Sequence, residues 1–147
     1  MILKNKDVLQ KLAEVLEAVR IANPLVHCIT NRVTINDCAN ALLAIGASPV
    51  MADGHDAGEM ASHANALVLN IGSVRDGDLE AIHGAAQVAA SRKIPIVFDP
   101  VGVGSTSSRS KLAQELLEKY PISIIRGNWS EIRAVCEGKS GTRGVDS

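Results

Sequence analysis

Three ionisable side chains stand where this sequence passes from apolar runs into glycine-containing turns. They are Asp99 in PIVFDPVGVGST (Pro95 to Thr106), and Arg126 and Glu131 in IIRGNWSE (Ile124 to Glu131). A carboxylate that follows a short apolar strand and precedes a Gly-rich turn sits where open α/β sheets place their ligands, outside the carboxyl ends of the strands. Asp99 is therefore expected at the strand's edge, not buried within it. Pro100 fixes φ and removes a backbone donor, while Gly102 and Gly104 permit positive φ and close approach of a ligand or another backbone. The same residues also suit an ordinary strand-to-helix loop, with Ser107 or Ser108 as N-cap of a helix over 109–119.

In IIRGNWSE a cation ends a strand, a glycine follows, and Asn128 stands three residues before Glu131. As local structure this is a capping box, with Glu131 folded back on the helix start. As chemistry, Arg126 would face an anion while Asp99 and Glu131 offer oxygen, directly or through water, to a hard cation such as Mg²⁺. Phosphoryl transfer needs that combination, because positioning and charge neutralisation do most of its catalytic work.

Other chemistries fit poorly. Gly138, Lys139 and Ser140 mimic the end of a P-loop, but Arg133 stands where its first glycine belongs. Gly102 and Gly104 are not completed by a third glycine, since position 107 is Ser, so a nicotinamide dinucleotide fold is poorly supported. His27, His55, His63 and His83 lack metal-ligand spacing. Cys28, Cys38 and Cys136 form no C-x-x-C pair and are expected as small buried hydrophobes. Fifteen Lys and Arg against sixteen Asp and Glu leave no basic stripe for nucleic acid. No apolar run is long enough to span a membrane and no signal peptide is evident, so a cytoplasmic protein is expected. Aromatic residues are only 2%, so Val, Ile, Leu and Ala must build the core.

The elements that would position these residues repeat one unit. Residues 5–21 carry Val8, Leu12, Val15, Leu16 and Val19 at helical spacing, an amphipathic helix expected to cover one face of a sheet. Five strand–helix units follow, with strands over 25–29, 48–52, 66–71, 96–98 and 122–125. The second helix is expected to open on a Thr34/Asp37 capping box and close on Gly46. A short helix is expected around Gly58 to Ala64, and the helix of the third unit from about Asp76 to Arg92, with Leu79, Ile82, Ala86 and Ala89 inward. Such units predict an α/β, doubly wound parallel sheet. Asn31, Asp53, Gly72, Asp99 and Arg126 then converge on one rim. A single domain over 1–147 is expected, and the polar residues from Lys139 to Ser147 read as an interruption after the fifth unit, with a sheet edge left unpaired.

Five blocks taken together closely resemble hydroxyethylthiazole kinase. They are PLVHCITN (24–31), TINDCANALLAIGASPVMAD (34–53), LVLNIGS (67–73), DPVGVG (99–104) and IIRGNWSE (124–131), and GVDS (144–147) continues the likeness. The resemblance implies a ribokinase-like fold and transfer of phosphate from Mg-ATP to the hydroxyl of 4-methyl-5-(2-hydroxyethyl)thiazole, in thiamine biosynthesis and salvage. It implies homotrimers with active sites between subunits. Carried onto this chain, it makes Asn31 and Met51 thiazole contacts, with core packing as the alternative for Met51. Arg126 becomes an ATP-phosphate contact with Asn128 beside it, Gly102 lets backbone approach the ligand, and Asp99 and Glu131 become the acids near Mg²⁺. The family's catalytic residue and Gly-rich anion hole belong to a later half, so none of Cys28, Cys38 or Cys136 inherits that role. An inactive fragment that acts at most in binding or assembly is the alternative function. Trp129 departs from the family, which usually has a small residue there.

Overall fold

Short apolar runs bounded by Pro, Asn or Gly form parallel strands, and the longer periodic segments between them form helices. The computed structural model describes residues 5–75 and 77–137. The expected helix start at Asp76, the Gly138-Lys139-Ser140 run and the GVDS block lie outside the described residues. The strands are β1 (Leu25–Ile29), β2 (Ser48–Val50), β3 (Ala66–Asn70), β4 (Ile96–Asp99) and β5 (Ile124–Ile125). The helices are α1 (Asn5–Ala22), α2 (Ile35–Ile45), α3 (Ala57–Ala61), α4 (Asp78–Arg92), α5 (Ser107–Lys119) and α6 (Trp129–Glu137).

All neighbouring strands pair in parallel, in the order β2-β1-β3-β4-β5. The chain runs outward from β1 to β2, then returns past β1 to β3 and continues to β4 and β5. Right-handed crossovers place α2 on one face and α3, α4 and α5 on the other. The direction reverses between β1 and β3, which creates a switch point at their carboxyl ends.

The larger core lies on the three-helix face. Leu67, Leu69, Ile96 and Phe98 point into it, in the register Leu67↔Ile96 and Leu69↔Phe98, and meet Ile82, Ala85, Ala86 and Ala89 of α4. Alanines on α4 let that helix lie close to the sheet. The opposite face buries only Val26, Cys28 and Ala47, with Val19, Leu42, Met51, Ala66 and Val68 packed against them. Burial pushes the Cys28 thiol up to about 12, so it behaves as an inert hydrophobe.

Several expectations are corrected here. Helix α1 does not cover the sheet with its whole apolar stripe: Val8, Leu12 and Val15 are exposed, and only Val19 reaches the smaller cluster. That cluster occupies β1 and its neighbours alone, since Val97 joins neither cluster and Ile124 and Ile125 are exposed. Thr34 does occupy the N-cap position of α2, but its side chain makes no capping bond because its backbone is not extended (φ −113°, ψ 11°). Gly46 closes α2 in the left-handed region (φ +94°), as expected, and packs directly on Arg20 of α1. Helix α5 is capped by Thr106, not Ser107 or Ser108, because only Thr106 is extended before the first helical residue; its Oγ1 accepts from the Arg109 N–H at 3.3 Å. Strand β5 begins at Ile124, not Ile122, whose N–H turns back to the Tyr120 carbonyl. Leu79 is exposed where an inward position was expected, and Cys136 is exposed, not buried.

Candidate active site

The pleat places every second residue of a strand on the same face, so the last residues of adjacent parallel strands line up across the sheet. Asn70 of β3 pairs in register with Asp99 of β4, and the Arg126 N–H, just past β5, donates to the Phe98 carbonyl at 2.9 Å. Three polar side chains, two at strand ends and one just past β5, therefore form one row. Asn70 Nδ2 and Arg126 Nη1 each donate to Asp99 Oδ2 at 2.9 Å. The Asp99 side chain is only 12% exposed. It is buried at the strand's end, contrary to the sequence expectation, because its neighbours on β3 and β5 close over it.

Asp99 Oδ1 is buried without a partner. Burial raises the carboxyl above its usual range, the charge and hydrogen bond of Arg126 pull it back, and the charge of Glu131 raises it further. An orphaned carboxyl oxygen in such a place calls for a cation or a donor from outside. Among the described residues, no group of three or more His, Cys, Asp or Glu side chains could hold a metal unaided. The one open oxygen of Asp99 suits a cation that takes one or two carboxylates and completes its shell with water and substrate phosphates, as Mg²⁺ commonly does.

Glu131 is buried and joins two loops. Its Oε1 accepts from the Gly102 N–H and its Oε2 from the Asn128 N–H, both at 2.9 Å, while Asn128 Oδ1 accepts from the Glu131 N–H at 2.8 Å. The capping box is present, and its carboxylate also fastens the β4 loop. Gly102 has φ +73°, and an added Cβ would lie 2.2 Å from Nη1 of Arg109. Its glycine is required both by the left-handed backbone and by this guanidinium, which lies over it.

On the other side of the switch point, Asn31 Oδ1 accepts from the Val33 N–H at 3.0 Å, and its Nδ2 sits 2.9 Å from where a Cβ on Gly72 would be. The Gly72 N–H in turn donates to Asn70 Oδ1 at 2.9 Å. A continuous line thus runs from Asn31 through Gly72 and Asn70 to Asp99. Met51 is half-buried against the smaller cluster. The next residue is held in place by His27, a fully buried side chain whose Nε2 lies 2.7 Å from the Ala52 carbonyl. Burial lowers the His27 pKa, so the ring is neutral near pH 7 and Nε2–H donates. Arg32 spans the rim: Nη2 reaches Asp53 at 3.2 Å and Asp78 at 3.5 Å, and its N–H donates to Ser73 Oγ.

Sequence reasoning missed Asn70, His27 and Arg109. Asn70 carried a faint signal, an amide ending an apolar strand. Nothing local marks Arg109, and a histidine within a strand is indistinguishable from any other half-polar position.

The model of the hydroxyethylthiazole kinase family matches residues 16–147. The chain belongs to this family. Hydroxyethylthiazole kinase of Clostridium botulinum (strain Eklund 17B / Type B) is 45% identical over 142 residues, covering 96% of this chain and 51% of the relative. That of Methanobrevibacter smithii is 47% identical over 135 residues, covering 90% and 47%. The solved structure of hydroxyethylthiazole kinase protein from Pyrococcus horikoshii OT3 is similar with a TM-score of 0.84 and 42% identity, over 88% of this chain and 51% of that one. The chain thus spans about half the length of the family members it matches.

For this family member the buried Asp99 has a stability consequence. Its folded pKa lies above the ordinary value of 3.8, so just above that pH the folded chain binds more protons than the unfolded one. Stability attributable to Asp99 is then lost as pH rises through the folded pKa. Asp99→Asn is expected to stabilise the chain by about 1 kcal/mol and raise Tm by about 3 °C. Thermal melts at pH 7 check this; a lower Tm would mean that the bonds to Arg126 and Asn70 outweigh the burial.

Proposed function

We propose that this chain forms the thiazole-side and metal-side part of an ATP-dependent kinase acting on the hydroxyl of 4-methyl-5-(2-hydroxyethyl)thiazole in thiamine salvage. The observation that carries the reading is Asp99, whose Oδ2 is fully engaged by Asn70 and Arg126 while its buried Oδ1 has no partner. When bound, Mg²⁺ supplies neutralisation of the charge on the transferring phosphates. Asp99 Oδ1 is the open oxygen for it. Glu131 stands behind with a lone pair left on each oxygen, able to act through water.

Arg126 anchors one nitrogen on Asp99 and is otherwise exposed, at 76%, to face the phosphates of ATP. Asn128 flanks it at the start of α6, and Gly102 brings β4-loop backbone to the same edge. Asn31 offers its amide to the thiazole alcohol, and Met51 offers a polarizable thioether to the flat ring. Homotrimers in the cytoplasm, with sites between subunits, belong to the same reading.

The half-length span supports a second reading for the chain on its own: it binds the thiazole alcohol without turning it over. Transferring a phosphoryl group also requires donors aimed at the developing charge, which the family resemblance implies for the later half of the family's length. ADP release with Mg-ATP, with and without hydroxyethylthiazole, should be measured beside calorimetric binding on a sample of verified intact mass. Binding that Met51→Ala weakens, with no thiazole-dependent ADP release, is expected. Turnover would show that the chain suffices alone, and absence of binding would remove Asn31 and Met51 from the substrate site.

A further inference from the structure

A cavity of about 350 Å³ opens between α4 and α5, on the helix-covered face, beginning at Ile71, the residue after Asn70. Its floor is apolar, made by Ile71, Leu79 and Leu112, and its rim carries Arg75, Arg109 and Lys111. The exposure of Leu79, unexpected from its helical position, follows from its place on this wall.

Of the three rim cations, Lys111 lies within electrostatic reach of Glu115. Among the described residues, Arg75, Arg109 and Lys111 make no ion pair, whereas Arg32, Arg126, Arg133 and Lys119 each reach a carboxylate. Among the described residues, Glu115 is the one carboxylate lining the cavity, and it is engaged by Lys119 at 2.6 Å and faced by His83 at 3.6 Å. Arg109 is half-buried and donates from Nη2 to a neutral acceptor, the Gly72 carbonyl at 2.9 Å. A guanidinium withdrawn from water with a single carbonyl partner favours an anion beside it.

We infer that this cavity binds a small organic anion, a phosphate or carboxylate head on a body about the size of one ring, with Arg109 as its principal contact. The volume is at the lower end of small-molecule sites, which combine an apolar wall with a few convergent polar groups. The cavity lining contains none of Asn31, Met51, Asp99 or Arg126, so the inference does not depend on the roles assigned to them, although Arg109 links it to the Gly72 and Gly102 turns of that site. Arg109 also lies over Gly102 while holding Gly72, so an anion drawn onto it bears on both loops that flank Asp99.

Titrating the isotope-labelled chain with phenyl phosphate, benzoate and neutral benzyl alcohol, followed by amide chemical shifts, tests this. Saturable shifts are expected at Leu79, Leu112, Gly72 and Gly102, with a Kd on the order of 1 mM for the better anion. The tighter of the two anions identifies the head group. Arg109→Gln is expected to weaken binding about tenfold. Arg75→Gln combined with Lys111→Gln, on the open rim, should weaken it several-fold without touching the fold. Equal binding of benzyl alcohol, shifts confined to Asp99 and Arg126, or undiminished binding in the rim double variant would overturn the inference.

Discussion

Glu131→Ala is expected to cost roughly 3–5 kcal/mol, a large share of the stability of a domain this size. The carboxylate is buried and accepts from two backbone amides on different loops, Gly102 N–H and Asn128 N–H. Bonds to a charged acceptor contribute about 1.5–3 kcal/mol each, and alanine leaves both donors without a partner. Glu131→Gln retains the shape but turns at least one N–H toward a donor, so about half the loss should remain. Urea denaturation reads both variants as a lower midpoint at unchanged m-value. A loss below about 1 kcal/mol for the alanine variant would mean that water replaces the carboxylate and that the two loops are not fastened by it.

Phe98→Ala should lower stability by about 3–5 kcal/mol. Phe98 is the only phenylalanine in the chain, has no solvent exposure, and lies at the centre of the larger core opposite Leu69. The helices over it present alanines, so the surroundings have little side-chain volume with which to collapse into the cavity. Phe98→Leu keeps most of the volume and should cost about 1–1.5 kcal/mol. Thermal unfolding of the two variants gives the comparison. Similar melting temperatures would show that the core repacks around the gap. Because Asp99 follows on the same strand, amide exchange at Ile71, whose N–H donates to the Asp99 carbonyl, should accelerate in the alanine variant.

Phe98 and Asp99 occupy opposite faces of one short strand. Phe98 fixes β4 against the helices, and Asp99 turns to the other face to meet Asn70 and Arg126. A change on the core side should therefore be felt in the row that carries the proposed chemistry.

Much of this could be read from the chain alone. Apolar runs separated by glycine and proline disclosed five parallel strand–helix units, because both periodicity and turn chemistry are local. The Asn128–Glu131 box and the left-handed Gly46 and Gly102 were legible for the same reason: each depends on residues within a few positions. The blocks carrying the family resemblance lie at strand ends, and they brought Asn31, Asp99 and Arg126 to one edge.

Only the tertiary structure decided what those residues experience. Asp99 is buried because side chains 29 positions upstream and 27 downstream close over it. Arg109 lies across two turns, one of them 37 positions away in sequence. The stripe on α1 looked buried, yet the sheet presents too little apolar surface there to cover it. Periodicity tells a chain which face to hide but not whether a partner surface exists. Burial, pairing and charge at a site come from contacts between segments distant in sequence, which no local pattern encodes.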